Sequence, residues 1–240
     1  MTETHDTYVK WLEDENRAFA DACARDLALP VPTCPGWTVL NLLEHHASFQ
    51  LWIAAILNER LLDPRAPVAI VAPDGDDPID WYRTIGSGLI DAFRATDPGT
   101  HVWGVTNQQT AGAWARRQAS ETSVHRWDAD NATGFGEPVE HADDYISEIF
   151  DHLLPALIAD FGAIVPDGAI LLISTDQQFS WTAAGTVDRA SLNRPVEHAD
   201  VTLSGTTSDL LLSLWNRPNA VEVSGDGNVL HQWRRAITGS

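Results

Sequence analysis

The feature that most constrains this chain is a change of hydrophobic period at Pro166-Asp167-Gly168. Before it, apolar residues recur at helical spacing over long segments; after it, short apolar runs bounded by Gly, Asp and Asn take over. The chain therefore has to pack helices on helices in one part and helices on a small sheet in another, which is the α+β class. With 240 residues there is room for both units, and 44% apolar residues suffice for a core in each.

In the first part, Tyr8, Leu12, Phe19 and Ala22 predict a helix over about 5–26. Pro30, Pro32, Pro35 and Gly36 break it, and Thr38 is placed to cap a second helix over about 38–61 with a stripe of Leu42, Phe49, Trp52, Ile53 and Ile56. A Pro- and Asp-rich linker precedes a third helix marked by Trp81, Ile85, Leu89 and Phe93, which Pro98-Gly99 stops. A fourth covers about 109–131 and a fifth about 141–162. Long helices between short breakers predict an antiparallel bundle. In the second part, Ala169–Ser174, Gln178–Thr182, Ala199–Ser204 and Val221–Ser224 read as strands, with helices at Thr207–Trp215 and Asn228–Ile237. The expected domains are a metal-binding helical bundle at 1–163 and a C-terminal α+β domain at 164–240. The ten Trp are spread along the chain, as core anchors would be.

Charge narrows the function. Fifteen Lys and Arg against 34 Asp and Glu give a formal net charge of −19, a field that repels phosphate backbones and anionic lipid. Nucleic acid and membranes are therefore not expected partners. No basic, apolar leader opens the chain, and Cys23 and Cys34 form no Cys-x-x-Cys pair, so a cytoplasmic, reducing location is expected.

The residues richest in chemistry lie in Ser120-Glu121-Thr-Ser-Val-His125-Arg-Trp-Asp128. Glu121 and His125, four apart, project from one helical face shared with Trp114 and Gln118. A buried carboxylate and imidazole need a partner to offset their desolvation, and a metal would serve. His45 falls on the stripe of the second helix, while His46 is rotated by about 100° and reads as the outward one. Two His and one Glu from facing helices would leave coordination positions open, as catalytic zinc sites do. The same spacing also fits a solvated surface pair, and a His on an apolar stripe also fits a hydrogen-bonded core residue. Asp128 could orient the His125 ring or pair with an Arg. Cys34 has no evident base beside it and reads as a packed turn residue.

Two segments carry a family resemblance. Val31-Pro-Thr-Cys-Pro-Gly-Trp-Thr-Val-Leu-Asn-Leu-Leu-Glu-His45 resembles the Pro-x-x-x-Gly-Trp-Thr-Val-x-Asp-Leu-x-x-His opening of mycothiol-dependent maleylpyruvate isomerase-like proteins. Trp114 to Asp128 is similar to their Arg-x-x-x-Glu-x-x-x-His-Arg-Trp-Asp signature. The resemblance implies a DinB-like four-helix bundle joined to a small α+β domain related to sterol-carrier folds. It also implies zinc held by His45, Glu121 and His125, mycothiol as thiol cosubstrate, and isomerisation of a cis double bond such as that of maleylpyruvate. Arg217, in Leu214-Trp-Asn-Arg217, is the match for the family's substrate-anchoring arginine, and it also fits a helix-end Arg on the negative end of the dipole. Asn41 departs from the family's usual Asp, at a helix start, where altered capping is expected. A mycothiol S-transferase and a non-enzymatic metal- or ligand-binding protein are the other functions compatible with the same residues.

Overall fold

A computed structural model describes residues 3–177, 179–185, 191–192 and 198–238. It resolves into two compact units, one of residues 1–104 and 108–139, the other of 105–107 and 140–240. The division falls at Val139/Glu140, ahead of the boundary expected at 163/164, because the fifth helical segment packs with the sheet domain.

The first unit is a four-helix bundle of α1 (His5–Cys23), α2 (Val39–Glu59), α3 (Pro78–Ala95) and α4 (Ala111–Ala132). Each start is set by a side chain that satisfies orphan backbone N–H groups: Thr4, Thr38, Asp77 and Thr110 all cap. At α2 the departure at Asn41 keeps the function of a capping box, since Asn41 Oδ1 accepts from the Thr38 N–H and Thr38 Oγ1 from the Asn41 N–H. Helix α1 packs on α4 and α3, and α2 on α3 and α4, so α1 and α2 stand diagonally opposed. The interior is filled by residues such as Leu12, Phe19, Leu42, Leu43, Ile53, Ile56 and Phe93. The linker between α2 and α3 is laid along α2: Glu44, Ser48 and Trp52, at successive turns of one helix face, bind Ala72 N–H, Ile70 N–H and Arg65 O.

A buried ion cluster ties α1 to α4. Arg126 donates to Glu15 Oε2 at 2.7 Å and Asp130 Oδ2 at 2.9 Å, and Arg25 reaches the other Asp130 oxygen at 2.6 Å. Burial pulls the Arg126 guanidinium down, but the charges and hydrogen bonds of Glu15 and Asp130 more than offset this and leave it raised.

In the second unit, β1 (Gly168–Ser174), β2 (Ser180–Gly185), β3 (Ser191–Leu192), β4 (Val201–Gly205) and β5 (Glu222–Gly225) form a sheet in the order β3-β2-β1-β4-β5. Among the described residues only the β1–β4 pair is parallel. The expected strand start at Gln178 lies outside the described residues. Ile170, Leu172, Val201 and Leu203 are fully buried beneath α7 (Thr207–Leu214) and α8 (Gly227–Thr238). Gly225, with φ +104°, passes the Asp200 backbone so closely that a Cβ would collide with the Asp200 carbonyl oxygen.

The fifth segment is α5 (Ala142–Glu148), a π turn at Ile149–Leu153 and α6 (Leu154–Asp160). Pro155 supplies no N–H and its ring excludes the carbonyl four residues back, so the turn before it widens. These residues pack on α7 and α8, with the Phe150 and Trp233 rings 5.9 Å apart. Of the ten Trp, Trp114, Trp127 and Trp233 are buried; the others keep partial exposure, so the expectation of core anchors holds for a minority. Among the described residues no helix is long and apolar enough to cross a membrane.

Candidate functional site

The site is built where two helices of the bundle face each other. The turn Thr33-Cys34-Pro35-Gly36-Trp37 closes with a Trp37 N–H to Cys34 O bond, and Thr38 then starts α2, so His45 and His46 lie two turns into it. On α4, Arg117, Glu121 and His125 follow at intervals of four and share a face.

His45 is half-buried. Its ring lies between Trp37 and Phe49, at 4.7 and 4.9 Å between centroids, and 5.8 Å from the ring of His125. Burial first, and the neighbouring His125 second, lower its pKa to about 4, so it is neutral at neutral pH. Neutral imidazole is the form that binds a metal.

His125 is oriented by a carboxylate. Its Nδ1 stands 3.2 Å from Asp128 Oδ2, and because a carboxylate only accepts, that nitrogen carries the proton and Nε2 is left as the donor atom for a ligand. Asp128 is fully buried and also accepts from Thr33 Oγ1 at 2.6 Å. The turn before α2 and the ring on α4 are thus joined through one carboxylate. Of the two roles open to Asp128, the contact with His125 fits orientation of the ring.

Glu121 Oε2 stands 3.9 Å from His125 Nε2, while its other oxygen pairs with Arg117 one turn earlier. Among the described residues no group of three His, Cys, Asp or Glu side chains is drawn together closely enough to hold an ion. The chemistry of the donors nevertheless fits a divalent metal: a neutral imidazole, a second imidazole backed by a carboxylate, and a carboxylate with one oxygen held by an arginine.

His46 corrects the expectation that it points outward. It is 2% exposed, against a half-buried His45, and its ring is 5.5 Å from His125. Its Nδ1 meets Tyr82 OH at 3.0 Å and Gln50 Nε2 at 3.2 Å, its Nε2 meets Thr122 Oγ1 at 3.2 Å, and Tyr82 OH donates onward to Asn16 Oδ1. The stripe that α2 buries deepest runs through Leu43, His46, Gln50, Ile53 and Leu57. With α3 and α4 packed on two sides, the buried arc is wide enough to take in both histidines. Both ring nitrogens of His46 are engaged in this polar core, whereas no hydrogen bond involves the His45 ring among the described residues. Burial, then the nearby His125 and His45, push the His46 pKa well below its ordinary value.

Cys34 is half-buried beside the bundle core, in the role of a packed turn residue. In the second unit, Arg217 Nη1 donates to Trp215 O at 2.8 Å, just past the C-terminal end of α7. The sequence reading carried Arg117 as the first residue of the Arg-x-x-x-Glu signature but gave it no role, although its spacing four residues before Glu121 is a legible signal. It missed Thr33, Thr122, Tyr82, Gln50 and Asn16. Gln50 stands four residues after His46 on α2, an equally legible spacing; no local pattern marks the bonds of the others to His46, Asp128 and one another, because those partners lie far along the chain.

A helical bundle carrying a His-, Glu- and Asp-lined face and a separate sheet domain defines the class as an α+β protein with a candidate metal centre. Residues 12–130 match the family described as mycothiol maleylpyruvate isomerase N-terminal domain, and this helical part of the chain belongs to that family. Among solved structures it resembles the mycothiol-dependent maleylpyruvate isomerase, at TM-score 0.58 and 16% identity, and a histidine-to-alanine mutant of it, at 0.59 and 14%. Both likenesses cover 93% of this chain and 96% of the other, so the shared fold extends through both units. No curated protein matches the chain.

Proposed function

We propose that the protein is a zinc-dependent, mycothiol-using enzyme of the maleylpyruvate isomerase-like family, activating a thiol for addition to an electrophilic double bond. The observation that carries this reading is the pair of rings His45 and His125, one neutral and half-buried, the other held by buried Asp128. His45, His125 and Glu121 would hold the ion. Bound there, zinc supplies a Lewis acid that lowers the pKa of a thiol so that thiolate is present at neutral pH.

The chain's own residues position and neutralise. Asp128 fixes the His125 tautomer, and Arg117 holds one Glu121 oxygen so that the other stays beside His125. The thiolate sulfur bonds to one carbon of the cis double bond, and the π electrons move to the conjugated carbonyl oxygen as an enolate. Rotation about the resulting single bond and expulsion of the same thiolate restore the double bond as trans, with no net redox change. Arg217 is the proposed anchor for a substrate carboxylate, and no redox cofactor is needed.

Zinc-loaded protein incubated with mycothiol and maleylpyruvate should yield the trans isomer, of unchanged mass. A mass increase equal to mycothiol would assign it instead as an S-transferase. Absence of any thiol-dependent product, together with absence of zinc from the purified protein, would leave a binding protein. Arg217→Ala should lose about 10–150-fold in turnover of carboxylate-bearing substrates, the equivalent of one charge-assisted hydrogen bond, with zinc content unchanged. Equal loss on neutral substrates would reject the anchoring role.

A further inference from the structure

Beyond the ion-binding face, an unbroken run of aromatic rings leads away from His45. Trp37 flanks it on one side; on the other, Phe49 is 4.9 Å from His45 and 6.0 Å from Trp52. Trp52 in turn lies 5.2 Å from Trp103 and 6.0 Å from Trp114. His45, Phe49 and Trp52 lie on one stripe of α2, so the run is continuous with the site.

Two features show what this wall offers. The indole N–H of Trp52 donates to the linker carbonyl Arg65 O at 2.6 Å and that of Trp114 to Trp103 O at 2.5 Å, so their polar edges are satisfied within the protein. Yet Trp37, Phe49, Trp52 and Trp103 all keep partial exposure, which leaves apolar ring surface in water beside the site. No charged side chain belongs to the run, and the arginines that lie over ring faces among the described residues, Arg25 and Arg116, are on Phe135 and Tyr8. A small dianion gains nothing from such a surface. A planar apolar body gains both area and ring stacking.

We propose that the electrophile taken up at the His45–His125–Glu121 face carries an aromatic or extended conjugated body, laid against Phe49, Trp52 and Trp103. This rests on the proposed function for the chemistry but reads the substrate class from the wall alone. The test uses the full chain and meta-dinitrobenzene, an uncharged ring that is not consumed, titrated by calorimetry, with maleate as the aliphatic dianion for comparison. Saturable binding of dinitrobenzene to the wild-type protein is expected. Trp52→Ala should weaken it about 10-fold, Trp52→Phe should restore most of it, and neither should alter maleate binding or zinc content. Phe49→Leu, a milder change, guards against misfolding of the Trp52 variant and should also weaken dinitrobenzene.

No saturable binding, or equal weakening for maleate, overturns the inference. The two readings fail separately. Thiol-dependent turnover of maleylpyruvate without dinitrobenzene binding overturns the aromatic class and leaves the enzyme standing. Dinitrobenzene binding that survives in His125→Ala, with wild-type protein that carries no zinc and consumes no thiol, overturns the enzyme and leaves the aromatic ligand.

Discussion

His125 and Asp128 are joined through Nδ1 and Oδ2 at 3.2 Å, and the same carboxylate accepts from Thr33 in the turn that precedes the other histidine helix. This one buried group therefore decides how the two halves of the site face each other.

Asp128→Asn keeps the size of the side chain but weakens its hold on the His125 proton. Zinc affinity, measured by competition with a chelator, should fall about 10–100-fold while the far-ultraviolet circular dichroism is retained. Unchanged affinity would make the bond a packing contact only.

The metal-free protein should lose stability in acid. The folded pKa of His45 lies near 4, below its ordinary 6.5, and that of His46 is lowered as well. Between those values the unfolded chain binds protons that the folded chain does not, so stability rises with pH through this window and is lost as pH falls through it. Urea unfolding in the presence of a chelator, from pH 7 down to pH 4, measures this. His46→Phe should flatten the dependence and His45→Gln should do so less, because the half-exposed ring is better solvated.

Arg126→Met should take one charge partner from each of the buried Glu15 and Asp130 carboxylates, Asp130 keeping Arg25. The expected loss is about 3–5 kcal/mol, read from chemical denaturation. Adding Glu15→Leu should recover part of it, and no recovery would mean that Glu15 contributes by shape and not by charge.

The two thiols should respond differently to a disulfide reagent. Cys23 is fully buried, and burial, then the nearby Asp130 carboxylate, push its thiol well up, whereas Cys34 sits half-buried in the turn before α2. Native protein should react at Cys34 alone, and Cys23 should follow only on unfolding. Fast reaction of Cys23 in native protein would show that the α1–α4 contact opens readily.

What the sequence determined by itself was local. Helical spacing and a cap residue such as Thr38 set four helices to within a few residues, and the change of period at Pro166-Asp167-Gly168 set the sheet. The face shared by Glu121 and His125 was likewise legible, because the four-residue spacing on a helix needs no partner to be defined. Tertiary structure decided the rest. It placed His46 deeper than His45, since the arc a helix buries depends on how many neighbours surround it, which periodicity along one helix cannot report. It gave Asp128 to both Thr33 and His125, and Tyr82 and Asn16 to His46, through contacts between residues far apart in the chain. It also moved the segment from Ala142 to Asp160 out of the bundle, because its apolar face matched α7 and α8, and an apolar stripe specifies that a helix must be covered without specifying by what.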